Sequence, residues 1–277
     1  MLIKNDIIPL SGTNLIDYLK SNLSLDYRPY WFYINNWTVF FSGSNPAFLS
    51  HFWSLAIEEQ FYLVWPFVIR QWNTRTIVYI ALSVIGFSPI IRYLLGVYGE
   101  YSPVSIYVST FCRLDGFMIG ALAYLIHKSN NGYDKWKRLV NALGTLSLIV
   151  LSAIIYFDQG LSFLQKNMSY YGFTFLNILI GMILLYSLSP NPNKVVYKLI
   201  SNKVTRFFGK YSYSMYVFHP WIMISVLIAM TWMGYEQTIV NTISYTAITI
   251  SAIVLFSLFI WHGFEAKILS FRSKILN

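Results

Sequence analysis

His51–Pro66 reads HFWSLAIEEQFYLVWP. The stretch is apolar enough to enter a membrane, yet it carries two adjacent carboxylates, Glu58 and Glu59, with Gln60 beside them. A charge at the centre of a bilayer costs at least ~2.5–3.5 kcal/mol on insertion scales, so two in one segment demand a function or a partner. The composition around this stretch supports a membrane chain. Of 277 residues, 56% are hydrophobic, 19% aromatic and 11% charged, against roughly 25% charged in a soluble domain. A net charge of +9 would point to nucleic acid in a soluble chain. Here the charges sort by position along the chain, and no nucleic-acid partner is expected. A single cysteine, Cys112, excludes an internal disulfide and a zinc cluster. Residues 1–27 lack the basic start and apolar core of a signal peptide.

Seven runs approach the ~20 apolar residues that cross a bilayer: 53–71, 76–96, 103–127, 137–157, 168–188, 209–233 and 237–262. The links after the first, third and fifth runs and the tail after the seventh are basic, from Arg70 and Arg75 to Lys267, Arg272 and Lys274. The alternate links carry Glu100, then Asp158 and Lys166, then Glu236. The positive-inside rule therefore makes the basic links and the C-terminus cytoplasmic and turns the His51 end outward. The expected organisation is an outward-facing loop and interfacial segment over 1–50, followed by an all-α polytopic membrane bundle of about seven helices over 51–277. Within the first part, 29–43 (PYWFYINNWTVFFSG) is aromatic but broken by two asparagines, so it belongs at the membrane–water interface. Residues 42–50 read as a turn-rich loop, and 189–210 as a basic linker whose Pro190 and Pro192 break helix.

Three constellations could carry chemistry. On a helix His51, Leu55, Glu58 and Tyr62 share one face, with Glu59 turned about 100° away. In FCRLDGFMIGALAY, Arg113 and Asp115 are two residues apart on an expected continuous helix, so they face opposite sides. Each needs a partner elsewhere, and Glu58 or Glu59 is the natural match for Arg113. Gly116 and Gly120 form a GxxxG pattern that permits close helix approach. In GKYSYSMYVFHPW, Ser212, Tyr216 and His219 share a face, and Pro220 frees a backbone carbonyl. Arg92, His127 and His262 lie near span ends, where long side chains reach the interface, and receive no role. A retinal protein would need a lysine in the last helix, and 237–264 has none. Phosphate-loop, HExxH and GxSxG motifs are also absent. A transporter remains a reading carried by the intramembrane charges alone.

Together, SHFWSLAIEEQFYLVWP (50–66), FCRLDGFMIGALAY (111–124) and FGKYSYSMYVFHPW (208–221), with a weaker HGFEAKILSFR (262–272), resemble the integral-membrane acyltransferase 3 family. The family pattern runs close to H-x-W-S-L-x-x-E-E-Q-F-Y, then R-L-D-G-x-x-x-G, then S-Y-S-x-Y-x-x-H, and the resemblance extends from about Asn35 to Arg272. It implies a core of roughly ten helices and transfer of an acyl group, mostly acetyl from acetyl-CoA, to a hydroxyl of a cell-surface carbohydrate or glycolipid. It also implies the bacterial inner membrane, membrane lipid as surroundings, acyl-CoA as co-substrate and no tightly bound cofactor or metal. On these grounds the candidate catalytic residues are His51, Glu58, Glu59 and Arg113. Candidate substrate-binding residues are Trp53, Tyr62, Asp115, Ser212, Tyr216 and His219. Family members begin with helices bearing arginine and a catalytic histidine, which nothing in Met1–Asn35 matches. The expectation is an N-terminally truncated chain, a late start, or a second chain supplying the front helices. The matching alternative function is an inactive remnant or a non-catalytic partner handling lipid-linked substrate.

Overall fold

The apolar runs fold as helices whose ends follow local chemistry. The computed structural model describes residues 26–43, 49, 51–129, 132–189, 194–234 and 238–276. In chain order these form α1 (Arg28–Trp31), α2 (Asn35–Ser42), α3 (Phe52–Gln71), α4 (Thr74–Val97), α5 (Pro103–Val108), α6 (Leu114–Lys128), α7 (Gly132–Asp158), α8 (Phe173–Ser187), α9 (Lys194–Ile200), α10 (Lys203–Trp232), α11 (Ile239–Ile260) and α12 (Ala266–Leu276). One π-helical turn, Met168–Gly172, leads into α8, and another, Trp261–Glu265, joins α11 to α12. Among the described residues there is no strand. The expected loop over 1–27 lies outside the described residues except for Asp26 and Tyr27, as do most of the turn-rich loop 42–50, Pro190, Pro192 and Glu236.

Asparagines start two of the long helices. Asn73 Oδ1 accepts from the Thr76 N–H at 3.0 Å at the head of α4. Asn202 Oδ1 accepts from the N–H groups of Val204 and Thr205 at 2.8 and 3.0 Å. Each side chain satisfies donors that a helix N-terminus leaves orphaned. Because of the second cap, α10 begins at Lys203 and not near 209 as the apolar run predicts. Five stretches are long and apolar enough to cross a membrane: Thr74–Val97, Gly132–Asp158, Met168–Ser187, Tyr197–Trp232 and Ile239–Phe271. Of the other two expected spans, 53–71 is the helix α3, which carries Glu58, Glu59, Gln60 and Arg70.

The expectation that fails is a continuous third span over 103–127. It is two helices, α5 and α6, separated by Ser109–Arg113, with Ser109 extended at φ −70°, ψ 129°. Arg113 is the N-cap of α6 rather than a mid-helix residue. Broken backbone is tolerated at membrane depth only where other protein groups satisfy it, and side chains meet that need here. The Val108 carbonyl accepts from Asn36 Nδ2 at 3.2 Å, and the Phe111 carbonyl from Ser88 Oγ at 3.1 Å. Arg113 Nε donates to the Tyr107 carbonyl at 3.1 Å, and Arg92 Nη1 donates to the Cys112 carbonyl. The polar residues that looked out of place in the apolar runs are the partners of this break.

The chain divides into two compact units. One comprises the described residues of Tyr27–Asn45 and Phe52–Ile200; the other comprises those of Met1–Asp26, Pro46–His51 and Ser201–Asn277. In the first, α4, α6 and α8 pack on one another and α7 lies along α8, burying Ala123, Tyr133, Val140 and Leu185 together. In the second, α10 packs against α11.

The asparagines of 29–43 do not face outward from the protein: Asn35 and Asn36 are both buried in α2. Asn36 Nδ2 donates to Thr110 Oγ1 at 2.9 Å, Thr110 Oγ1 donates to Gln60 Oε1 at 2.7 Å, and Gln60 Nε2 donates back to Asn36 Oδ1 at 2.9 Å. This closed ring ties α2, the helix break and α3 together. Gln60→Leu takes the acceptor from the buried Thr110 hydroxyl and the donor from the buried Asn36 Oδ1, so it is expected to cost about 1–3 kcal/mol. A drop in the detergent-solubilised melting temperature checks this, and an unchanged melt would exclude the ring as a structural clamp.

Candidate active site

Glu58 and Arg113 come together, but not as an ion pair. Both line one cavity of about 360 Å³ in the first unit, with Trp53, Ser54, Ile57, Gly116, Phe117 and Asn177. Among the described residues neither Glu58 nor Glu59 has an ion-pair partner, so the expected Arg113–carboxylate bridge is not formed. Arg113 is instead wedged among rings. Its guanidinium carbon lies 4.1 Å from the Tyr107 ring centroid, 4.2 Å from Phe173 and 5.4 Å from Trp53. A guanidinium is weakly hydrated and stacks on aromatic faces, which lets it sit in this cage as a lysine would not. Nε is engaged by the Tyr107 carbonyl. The two terminal amino groups have no acceptor among the described residues, which leaves them for a ligand.

Asp115 lies behind the cavity wall and does not line the cavity. The expected placement of Arg92 at the interface is wrong, because Arg92 and Asp115 are 1% and 0% exposed and pair at 3.1 Å. Arg92 Nε also donates to the Tyr170 carbonyl at 3.0 Å, and Nη2 donates to Thr174 Oγ1. Asp115 accepts from Thr174 Oγ1 at 2.6 Å, from Asn177 Nδ2 at 3.2 Å and from the Gly116 N–H at 2.9 Å. Both carboxylate oxygens are occupied, so Asp115 organises the wall and is not exposed to a substrate. A short piece of chain supplies most of these partners: the Tyr170 carbonyl in the π-helical turn, the Phe173 ring, the Thr174 hydroxyl and the Asn177 amide. Reading the sequence alone missed all four. Their only signal was polar groups in an otherwise apolar run. Gly116 also has a specific use, since a Cβ there would lie 3.2 Å from Asn177 Nδ2; at Gly120 a Cβ would meet nothing within 4 Å, so the GxxxG pattern works through its first glycine.

The remaining predicted residues of α3 divide clearly. Trp53 lines the cavity. Glu59 and Tyr62 are exposed and line none of the described cavities. His51 does not share the Glu58 face, because α3 starts at Phe52 and His51 precedes it in a turn belonging to the second unit.

There His51 joins Tyr216 and His219, as Pro220 explains. Proline has no N–H, so the carbonyl four residues back, Tyr216, loses its helical donor. His219 Nδ1 takes that carbonyl at 2.7 Å, and His51 Nε2 takes the neighbouring Val217 carbonyl at 3.1 Å. Carbonyls only accept, so both ring nitrogens are protonated there and the tautomers are set. Tyr216 Oη donates to the His51 carbonyl at 2.6 Å, and the two imidazole centroids are 5.1 Å apart. His51 lies outside the five apolar stretches, and burial pulls its imidazole down to about 4, so the ring is neutral at pH 7. Ser212 does not join this cluster. It is exposed, and its hydroxyl donates to the Gly209 carbonyl of its own helix at 3.0 Å. Ser214, which the sequence reading passed over, is the buried serine of α10, and its hydroxyl donates to Glu265 Oε1.

Apolar helices long enough to span, one interrupted helix whose carbonyls are capped by side chains, and a cavity holding an aromatic-caged arginine beside a carboxylate define a polytopic membrane protein with a charged cavity among its helices. The chain belongs to the acyltransferase domain family, which it matches over residues 3–262, and it is an integral membrane protein. The family match reaches closer to the N-terminus than the three motifs do. A peptidoglycan O-acetyltransferase of Listeria monocytogenes serovar 1/2a is 31% identical over 199 residues, covering 69% of this chain and 31% of the relative. A Staphylococcus aureus (strain COL) protein described as an O-acetyltransferase is 28% identical over 205 residues, covering 68% and 33%. A Bacillus subtilis (strain 168) protein described as a peptidoglycan O-acetyltransferase is 28% identical over 209 residues, covering 71% and 32%. The matches thus span about a third of the length of these curated relatives. No solved structure matches the chain significantly.

Proposed function

We propose that the protein transfers an acyl group, acetyl by preference, from acyl-coenzyme A to a hydroxyl of a cell-surface carbohydrate. The names of its relatives make peptidoglycan the leading acceptor. The observation that carries this reading is the caged Arg113, whose terminal amino groups remain for an incoming anion or carbonyl oxygen in a cavity that also holds Glu58. In the reaction the acceptor O–H gives its proton to a base and its oxygen bonds to the thioester carbonyl carbon. The C–S bond then breaks, and the coenzyme A thiolate leaves to be protonated. Negative charge grows on the carbonyl oxygen, and fixed donors in a low-dielectric site stabilise that charge without reorganising. Arg113 fills this role; Glu58 holds the acceptor hydroxyl or orients the base. Of the paired carboxylates Glu58 is assigned, because it lines the cavity and Glu59 is exposed. On the positive-inside reading of the basic links, the donor enters from the cytoplasmic side of a bacterial plasma membrane and the acceptor arrives from the outer side.

The test is base-labile acetate in the cell envelope, compared between cells carrying the whole gene and cells carrying its Glu58→Gln variant at equal membrane abundance. The expected loss is about 100-fold or more, in the range of a missing acid–base group. Undiminished acetate in the variant would remove Glu58 from the chemistry.

A further inference from the structure

A second cavity, of about 530 Å³, lies in the first unit among α4, α6, α7 and α8, and the reaction proposed above assigns it no part. Its lining is apolar except at one end, where Thr74, Ser129 and Trp136 stand. That end coincides with the helix termini: Thr74 opens α4, and Ser129 follows the end of α6. Along α4 the lining runs from Thr74 to Ile85, about 16 Å at the helical rise. That depth matches one leaflet, about 15 Å of hydrocarbon. Leu82, Trp136 and Leu139 line the cavity and are also exposed, so it opens sideways onto the membrane.

The charge at that end is mainly basic. Arg75 adjoins Thr74, Lys128 adjoins Ser129, and Lys135 and Lys137 flank Trp136, with Arg138 next; all five are exposed. Lys135 Nζ lies 5.7 Å from the Trp136 ring centroid. Asp134 is the one carboxylate among them. We propose that this cavity holds one acyl chain of an anionic phospholipid from the surrounding bilayer, with the headgroup phosphate attracted to the basic rim that Lys128, Lys135 and Lys137 form. An apolar slot as deep as one leaflet suits the chain, and the basic rim attracts anionic headgroups.

The full chain in nanodiscs tests this through quenching of tryptophan fluorescence by acyl-brominated lipid. The difference between wild type and Trp136→Phe isolates the cavity signal from the other tryptophans. Brominated phosphatidylglycerol is expected to quench the Trp136 signal several-fold more than brominated phosphatidylcholine at equal mole fraction. The Lys128→Gln/Lys135→Gln/Lys137→Gln variant, which leaves the apolar lining intact, is expected to erase that preference. Equal quenching by both lipids in the wild type, or a preference that survives the triple substitution, would overturn the proposal. Loss of quenching on adding coenzyme A would also overturn it, giving the cavity to the acyl donor instead.

Discussion

Arg92→Ala is expected to destabilise the first unit by about 3–5 kcal/mol, the range for removing one partner of a buried ion pair. Asp115 would be left charged and enclosed, and the Tyr170 and Cys112 carbonyls would lose their side-chain donor. Asp115→Asn is expected to cost less, because an amide can still accept from Thr174 and the Gly116 N–H. Thermal unfolding followed by size exclusion in detergent separates the two. If Arg92→Ala melted with the wild type, the pair would have no part in holding α4, α6 and α8 together.

The pair also shows what the sequence could and could not reveal. Apolar runs located the long helices because burial in lipid is a property of residues summed over a window. The runs 76–96, 137–157 and 168–188 correspond to α4, α7 and α8 with its leading π-helical turn, with ends displaced by a few residues. Partnership is a property of the fold. Arg92 sits near the end of an apolar run, where a snorkelling role is the usual reading, and its actual partners, Asp115 and the Tyr170 carbonyl, lie 23 and 78 positions away. The break at 109–113 was hidden for a related reason. Hydropathy does not register whether a backbone is helical, and the groups that satisfy the break come from Asn36, Ser88 and Arg92 on other helices. A misplaced helix start had the opposite effect: counting His51 into α3 joined it to Glu58, whereas its contacts are with α10. The motif HFWSLAIEEQFY therefore contributes to two units. His51 is tied to the Val217 carbonyl of one, while Trp53, Glu58 and Gln60 serve the cavity and the hydrogen-bonded ring of the other.

Arg113→Ala is expected to reduce acyl transfer by about 10²–10³-fold in kcat, as for removal of a preorganised donor to a developing oxyanion, with stability affected far less than in Arg92→Ala. The distinction follows from the partners. Arg92 commits its hydrogen bonds to protein groups, whereas Arg113 lines the cavity and engages one carbonyl, its two amino groups having no acceptor among the described residues. Arg113→Lys is the sharper variant. It retains the positive charge but loses the flat cation that fits between Tyr107 and Phe173, and it loses the paired donors. If charge alone served the reaction, the lysine variant would recover most of the activity. If the caged geometry serves it, lysine falls nearly as low as alanine. The measurement is single-turnover transfer from labelled acetyl-coenzyme A by the whole enzyme in membranes, at saturating donor, so that weakened binding and slowed chemistry are read separately. Transfer at the wild-type rate by Arg113→Ala would move the reacting carbonyl out of this cavity.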